Sequence, residues 1–413
     1  MRTSWAPLVA TLAVSQIIGW GTTYYMPAVL GTSIGTALGI GRETSYLGVS
    51  LMVGISALVA PSAGRLLDRL GAARLMAPGT ALIGCALLLL AALPSQVTYC
   101  AMWVMLGLAA PFGLSLGALT SVTQATGSAA RRTIGILMLF TGMSATVFWP
   151  LGSWLDHLLG WRGAVAGFAL LNLCLSLPLN LIVVRGFAAP RPHPAPGSHP
   201  TRVAASTGLL VEAATRERAA WLMIITFSLQ GFVSWGLPLL MISMFEALDL
   251  RNDVAVTIAA LNGPATIAAR LMEIFGGARL KPMTTALVAL GIVPATLLAL
   301  LLPLPPVVAA TVFAVLYCGA TGVLAIVRAT LPLTLLGALG YGTLIGRLSL
   351  PQNLIFAASP ALFGLVEAHG GLDGVIALAL LVSLAAFASA YLLTRLVEAS
   401  LGVDASTLPS RGV

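Results

Sequence analysis

The sequence predicts an all-α membrane protein with twelve transmembrane helices arranged as two pseudo-symmetric six-helix bundles. Three observations carry that expectation. First, of 413 residues 58% are apolar and only 8% charged, against roughly a quarter charged in a soluble domain. Thirteen acidic and 21 basic side chains cannot cover a globule of this length, because soluble monomers keep contiguous apolar patches below about 600 Å². Second, apolar stretches near the length of about 20 residues that a bilayer requires recur twelve times along the chain. Third, the basic residues cluster on alternate connectors between those stretches.

The first six apolar runs lie near 6–31, 44–67, 74–94, 97–121, 132–155 and 163–184. Six more follow near 219–245, 253–269, 282–302, 305–327, 341–366 and 374–394. Residues 1–184 therefore form one bundle, and residues 219–413 the other with a short tail. Between them, residues 185–218 contain Pro190, Pro192, Pro194, Pro196, Gly197 and Pro200, a composition with too little apolar surface to offset the entropy of ordering. This segment is read as a cytoplasmic linker. Its end, Thr207 to Arg218, returns to helix formers and predicts a short interfacial helix entering span seven. The N-terminal run is too long for a signal-peptide core and lacks a small-x-small cleavage site, so it is read as a retained first span.

Orientation follows from the bias of lysine and arginine toward cytoplasmic connectors. With an even number of spans, one side receives eighteen of the 21 basic residues, and the other only Arg42, Arg162 and Arg251. Both termini are thus expected in the cytoplasm, with the chain in the cytoplasmic (inner) membrane.

Several function classes are excluded at this level. Although the net charge is +8, the basic residues never form a run, so nucleic acid is not an expected partner. Cys85, Cys100, Cys174 and Cys318 lie within or at the ends of apolar segments without a CxxC pair or a His-rich spacing. Neither disulfides nor a metal are expected. No phosphate-binding Gly-x-x-x-x-Gly-Lys-Ser/Thr motif occurs and no Ser/His/Asp constellation lies in the spans, so the chain is not read as an enzyme and needs no cofactor.

The two halves repeat each other. After span two the chain reads Gly64-Arg-Leu-Leu-Asp68-Arg69-Leu-Gly71-Ala-Ala-Arg74, and after span eight it reads Ala269-Arg-Leu-Met-Glu273-Ile-Phe-Gly276-Gly-Ala-Arg279. An offset of 205 residues preserves the arginine, the acid, the glycine and the final arginine, which points to duplication. Trp20-Gly21 and Trp235-Gly236 echo it in spans one and seven, as do Pro150 and Pro360 in spans five and eleven. With that glycine, acid, basic, glycine, basic signature the chain resembles the major facilitator superfamily over its whole length. The resemblance implies two six-helix halves related by an axis along the membrane normal, rocking about a central site. A narrower pattern is similar to the monocarboxylate and oxalate/formate branch: Arg131-Arg132 opening span five, Gly142, Pro150, a Gly160-Trp161-Arg162 turn, and Gly19-Trp20-Gly21 in span one. That branch carries an arginine well inside helix eight, where this chain has Ala265 and Thr266, and Arg270 falls nearer the cytoplasmic end. The drug-exporting branch fits incompletely too, since its helix-four arginine would fall near Trp103.

A carboxylate at the bilayer centre would cost roughly 2.5 kcal/mol or more and would mark a proton or cation site. Every Asp and Glu instead falls at a helix end or in a loop, so a pathway must be lined by neutral polar and aromatic groups. Span one places Gln16, Trp20, Thr23 and Tyr24 on one helical face, and span seven places Gln230, Ser234 and Trp235 at corresponding depth. By the resemblance these two helices line the central cavity, where such groups orient a small solute. The alternative is interhelical hydrogen bonding. Span ten adds Tyr317 and Thr321, with Arg328 at its end as a topological charge. Span eleven adds Arg347, Ser349, Gln352 and Asn353. Arg347 is read either as a bidentate partner for a carboxylate or as a cation that snorkels to the interface or pairs with Asp68.

The repeated connectors suggest a cytoplasmic gate composed of Gly64, Asp68, Arg69, Gly71, Arg74, Arg131, Arg132, Glu273, Gly276 and Arg279. By the resemblance, Asp68 would face the start of span eleven near Tyr341 and Arg347, and Glu273 would face Arg131 and Arg132. Gly142, Pro150 and Gly152 in span five, and Pro351 and Pro360 in span eleven, are candidate hinges or close-packing sites. The expected function is secondary transport of a small organic solute, a small organic anion first and an amphipathic drug or metabolite second. A transporter-like sensor without flux is the remote third reading. The partners expected are the lipid bilayer, the solute and a coupling proton, with the chain acting as a monomer.

Overall fold

A computed structural model of the chain describes residues 5–40, 42–187, 213–276, 282–337 and 340–407. Helix dominates, and no strand occurs among the described residues. Span one consists of α1 (Ala6–Thr22) and α2 (Met26–Leu38), with a break at residues 23–25. Spans two to four are α3 (Arg42–Leu70), α4 (Ala72–Ala92), and the pair α5 (Gln96–Gly113) and α6 (Ser115–Thr126). Next come α7 (Ala130–Thr141) and α8 (Ser144–Leu170), a π-helical segment at Leu171–Ser176, and α9 (Leu177–Phe187). In the second half, α10 (Ala213–Gly236) continues through a 3₁₀ turn into α11 (Met241–Glu246), followed by α12 (Asn252–Ala259) and α13 (Asn262–Gly276). The last elements are α14 (Pro282–Ala299), α15 (Pro306–Leu336) and α16 (Tyr341–Thr407).

Among the described residues, nine helices are long and apolar enough to cross a bilayer on their own. The count of twelve is recovered at three breaks. Gly160 (φ 69°) turns the chain within α8 and separates span five from span six. Gly371 (φ 58°) does the same within α16 for spans eleven and twelve. A side chain at such a backbone angle would cost roughly 1–2 kcal/mol, so glycine fixes where these helices end. Span one is divided by its break into two short pieces of 17 and 13 residues.

The observed helices overrun the apolar windows. Span one reaches Leu38, span eight Gly276 and span ten Leu336, because a helix can continue into the headgroup region after its hydrophobicity falls. A separate interfacial helix before span seven is not what the structure holds at residues 213–218. Those residues are the first turns of α10, since nothing in Ala-Ala-Thr-Arg-Glu-Arg interrupts helix before the apolar run. Residues 188–212, the rest of the expected linker, lie outside the described residues.

The chain forms two compact units, residues 1–201 with 338–357, and residues 202–337 with 358–413. The beginning of α16 therefore packs with the first unit. That unit is joined internally by buried polar side chains. Asn180 donates to Ser15 Oγ (3.0 Å) and Thr80 Oγ1 (2.8 Å), and Ser15 shares a 2.8 Å hydrogen bond with Ser176. These contacts bind span one to spans three and six, each contributing on average about 0.6 kcal/mol in a bilayer. In the second unit Tyr317 donates its hydroxyl to the Val233 carbonyl at 3.0 Å and stacks on Phe313 at 5.1 Å. Ser359 likewise donates to the Phe232 carbonyl.

Two of the basic residues on the sparse side of the charge count have local partners. Arg162, just past the Gly160 turn, donates from Nε to the Ala91 carbonyl at 3.2 Å, one of the last carbonyls of α4. A cation at a helix C-terminus is favoured by the helix dipole. Arg251 pairs with Asp253 at 2.8 Å, both exposed. Replacing Arg162 with methionine is expected to lower the melting temperature by a few degrees, corresponding to about 0.5–1.5 kcal/mol, without inverting topology. An unchanged melting curve would show that the Ala91 contact contributes nothing.

Candidate functional site

The clearest constellation joins α3 to the start of α16. Gly340 is the residue before that helix, and its carbonyl accepts the first helical bond from Leu344 N at 3.0 Å. Lacking a side chain, it cannot cap the exposed N–H groups of the first turn. Asp68, in the last turn of α3, takes that place: Oδ1 accepts from Gly342 N at 3.0 Å and Oδ2 from Thr343 N at 2.6 Å. These are the donors that an N-cap side chain normally satisfies. The carboxylate sits at the unfavourable, partly negative end of its own helix and is compensated by the positive end of another.

The backbones come close enough here that only glycine fits. A Cβ at Gly64 would overlap the Gly342 carbonyl oxygen, and one at Gly346 would overlap the Ala60 carbonyl oxygen. Beneath this contact, Ala60, Ala63, Leu67 and Leu116 form a buried apolar layer against which Ile345 packs. Arg69 and Arg74 are exposed nearby, Gly71 forms the turn at φ 89°, and Gln124 ties that turn by accepting from Ala72 N at 2.9 Å. Asp68 thus engages the backbone at 342 and 343; the Arg347 side chain is exposed, in the second turn of α16.

The second repeat of the gate motif is described only in part. Glu273 lies in the last turn of α13, which ends at Gly276, and Arg279 is outside the described residues. Arg131 and Arg132 open α7, the first half-buried and the second exposed. These residues belong to different compact units.

The two amides of the expected solute-facing stripes are engaged inside their own bundles. Gln16 is 1% exposed and donates from Nε2 to the Gly113 carbonyl at 2.9 Å. Gln230 donates to Ser234 Oγ, and both border a small cavity with Val233, Leu290, Val293, Ser383 and Ala386. Thr23 donates back to the Gly19 carbonyl at 2.6 Å. Thr321 donates to the Cys318 carbonyl at 3.1 Å, and Trp235 is half-buried. In α16, Gln352 is buried and Asn353 half-buried.

Trp20 and Tyr24 belong to a longer ring cluster. Trp20 meets Tyr24 edge-on at 5.8 Å, Tyr24 meets Tyr25 at 5.0 Å, and Tyr25 meets Trp149 of α8 at 6.4 Å. Periodicity on span one alone could not include Trp149, because nothing in the sequence aligns span five against the break in span one.

A second feature missed in the sequence is the setting of Arg270. Six residues separate it from the end of α13, about 9 Å at 1.5 Å per residue. Its Nε donates to the Gly322 carbonyl at 3.2 Å, near the middle of the 31-residue α15. Thr266, one turn earlier, makes the parallel contact to the Cys318 carbonyl at 3.1 Å. Proximity to the helix end therefore did not send this guanidinium into solvent.

The family model of the Major Facilitator Superfamily matches residues 11–340. The chain belongs to this superfamily. No curated protein sequence matches it. Solved superfamily-like structures align over nearly the whole length. The human organic anion transporter MFSD10 (TETRAN) is 16% identical with a TM-score of 0.71, covering 95% of this chain and 100% of its own. The transporter FucP in its outward conformation is 14% identical with a TM-score of 0.70, covering 92% and 97%. A bacterial homologue of the iron transporter ferroportin, outward-facing with soaked iron, is 12% identical with a TM-score of 0.73, covering 94% and 99%. At these identities the likeness is one of fold, and the superfamily fold of twelve membrane helices in two bundles is the architecture of this chain.

Proposed function

We propose that this superfamily member is a secondary transporter of a small organic anion, moving it across the cytoplasmic membrane by alternating access. The observation that supports an anion is the Arg270 guanidinium, held within span eight against a mid-helix carbonyl of span ten. A guanidinium stays charged and presents a planar fork suited to carboxylates. Arg347, exposed in span eleven, is a separate cation proposed to contact a carboxylate in the first unit. Trp20 and Tyr24, with Tyr25 and Trp149, supply ring surface along the path. Asp68 and Glu273 act as the cytoplasmic latch, with both termini on that side and the protein working as a monomer.

The ring cluster also favours a second reading, export of an amphipathic drug or metabolite that stacks on aromatic faces. Flux separates the two. In proteoliposomes, saturable uptake of a labelled monocarboxylate is expected to fall at least about tenfold in Arg270→Gln and Arg347→Ala, the loss of a charge-assisted contact of roughly 1.5–3 kcal/mol. Movement of lipophilic cations, unaltered by either substitution, would favour the second reading instead. Absence of any flux would favour a sensor.

A further inference from the structure

Two helices of the first unit start after a glycine and borrow their cap from a neighbour. α16 follows Gly340 and takes Asp68; α4 follows Gly71, which offers no side-chain cap, and takes Gln124 of α6. The Gln124 amide does more than cap. Its Oε1 accepts from Ala72 N at 2.9 Å, and its Nε2 donates to the Leu67 carbonyl at 3.2 Å. Leu67 and Ala72 are both buried. A carboxamide supplies a donor and an acceptor from one planar group. One side chain thereby joins the last turn of α3 to the first residue of α4, across the turn that begins at Asp68.

That position bears directly on the carboxylate. The Leu67 carbonyl carbon is bonded to the Asp68 nitrogen, so a hydrogen bond to this carbonyl fixes the peptide plane from which the Asp68 side chain departs. Carbonyls of a last helical turn lack the partners they have mid-helix, and such turns fray. The Leu67 carbonyl has two partners, Gly71 N at 3.0 Å and Gln124. The same helix also reaches the other side of the contact. Leu116, Thr120 and Gln124 recur every four residues and share one face of α6. Leu116 lies in the buried layer with Ala63 and Leu67, on which Ile345 packs. A Cβ at Gly342 would come within 3.0 Å of the Thr120 methyl carbon. Asp68 and the backbone it grips are therefore both seated on α6.

We infer that Gln124 is a positioning residue, holding the Asp68 carboxylate in register with the N–H groups of Gly342 and Thr343. The inference rests on the reading of Asp68 as a latch. The test is the rate at which N-ethylmaleimide alkylates a single cysteine at Thr343, in the full-length protein in nanodiscs without its four native cysteines. Gln124→Met keeps the side-chain length but neither bond, and because Gln124 is exposed the apolar layer stays intact. It should raise the rate about threefold, the scale of one net hydrogen bond lost. A purely structural role would give the same factor in every background, whereas a role exercised through the carboxylate couples the two sites. The factor should therefore vanish when Asp68→Asn is already present, and persist with Gly346→Ala, which keeps the carboxylate. No effect of Gln124→Met, or an equal factor in those two backgrounds, would overturn the inference and leave the latch standing. No effect of Asp68→Asn itself would remove the latch, and this inference with it.

Discussion

Gly346→Ala is expected to shift the chain out of the conformation in which α3 and α16 touch. The added methyl would meet the Ala60 carbonyl and the Pro61 backbone, atoms that cannot move without moving α3. Overpacking of this kind costs typically 1–3 kcal/mol, a roughly five- to 150-fold change in the population of the closed contact. The reporter is a single cysteine at Thr343, in a background lacking Cys85, Cys100, Cys174 and Cys318. Its alkylation rate should rise by at least about fivefold in Gly346→Ala. Gly54 is the control, because a Cβ there meets nothing within 4 Å, and Gly54→Ala should leave the rate unchanged. Equal rates for Gly346→Ala and the parent would show that the backbone approach is not maintained in the membrane.

Asp68→Asn should act in the same direction through charge rather than shape. The carboxylate caps two N–H groups, at Gly342 and Thr343, whereas an amide offers one oxygen and no negative charge to the helix terminus. Losing one charge-assisted bond and the dipole interaction is worth about 1–3 kcal/mol. Thr343 cysteine alkylation should therefore accelerate by roughly fivefold or more, and solute exchange in proteoliposomes should slow, with membrane insertion intact. Asp68→Glu, longer but still an anion, should recover part of the effect. If Asp68→Asn leaves both rates unchanged, the cap does not control the cycle.

Hydrophobicity and charge made the bundle architecture legible, because a bilayer imposes a length and a side on every span. The repeated connector revealed the Asp68 motif. Its partner was only approximately placed: the sequence pointed toward Tyr341 and Arg347, and the carboxylate instead meets backbone N–H groups, which carry no sequence signal of their own. Gly340 was the available clue, a helix start with no capping side chain. Arg270 was hidden for a related reason. Counting residues from the helix end gives its position along span eight, but the Gly322 carbonyl that receives it belongs to span ten. Helical periodicity likewise put Gln16 on a polar face without saying which bundle neighbour that face would meet. It found Gly113.

The decisive measurement is a distance across the α3–α16 contact. Spin labels at the exposed positions Leu66 and Leu354, in nanodiscs, should give two interconverting distance populations. The shorter should diminish in Asp68→Asn and in Gly346→Ala, and transported solute should redistribute the two. A single distance, indifferent to both substitutions and to every solute that crosses, would contradict alternating access through this contact.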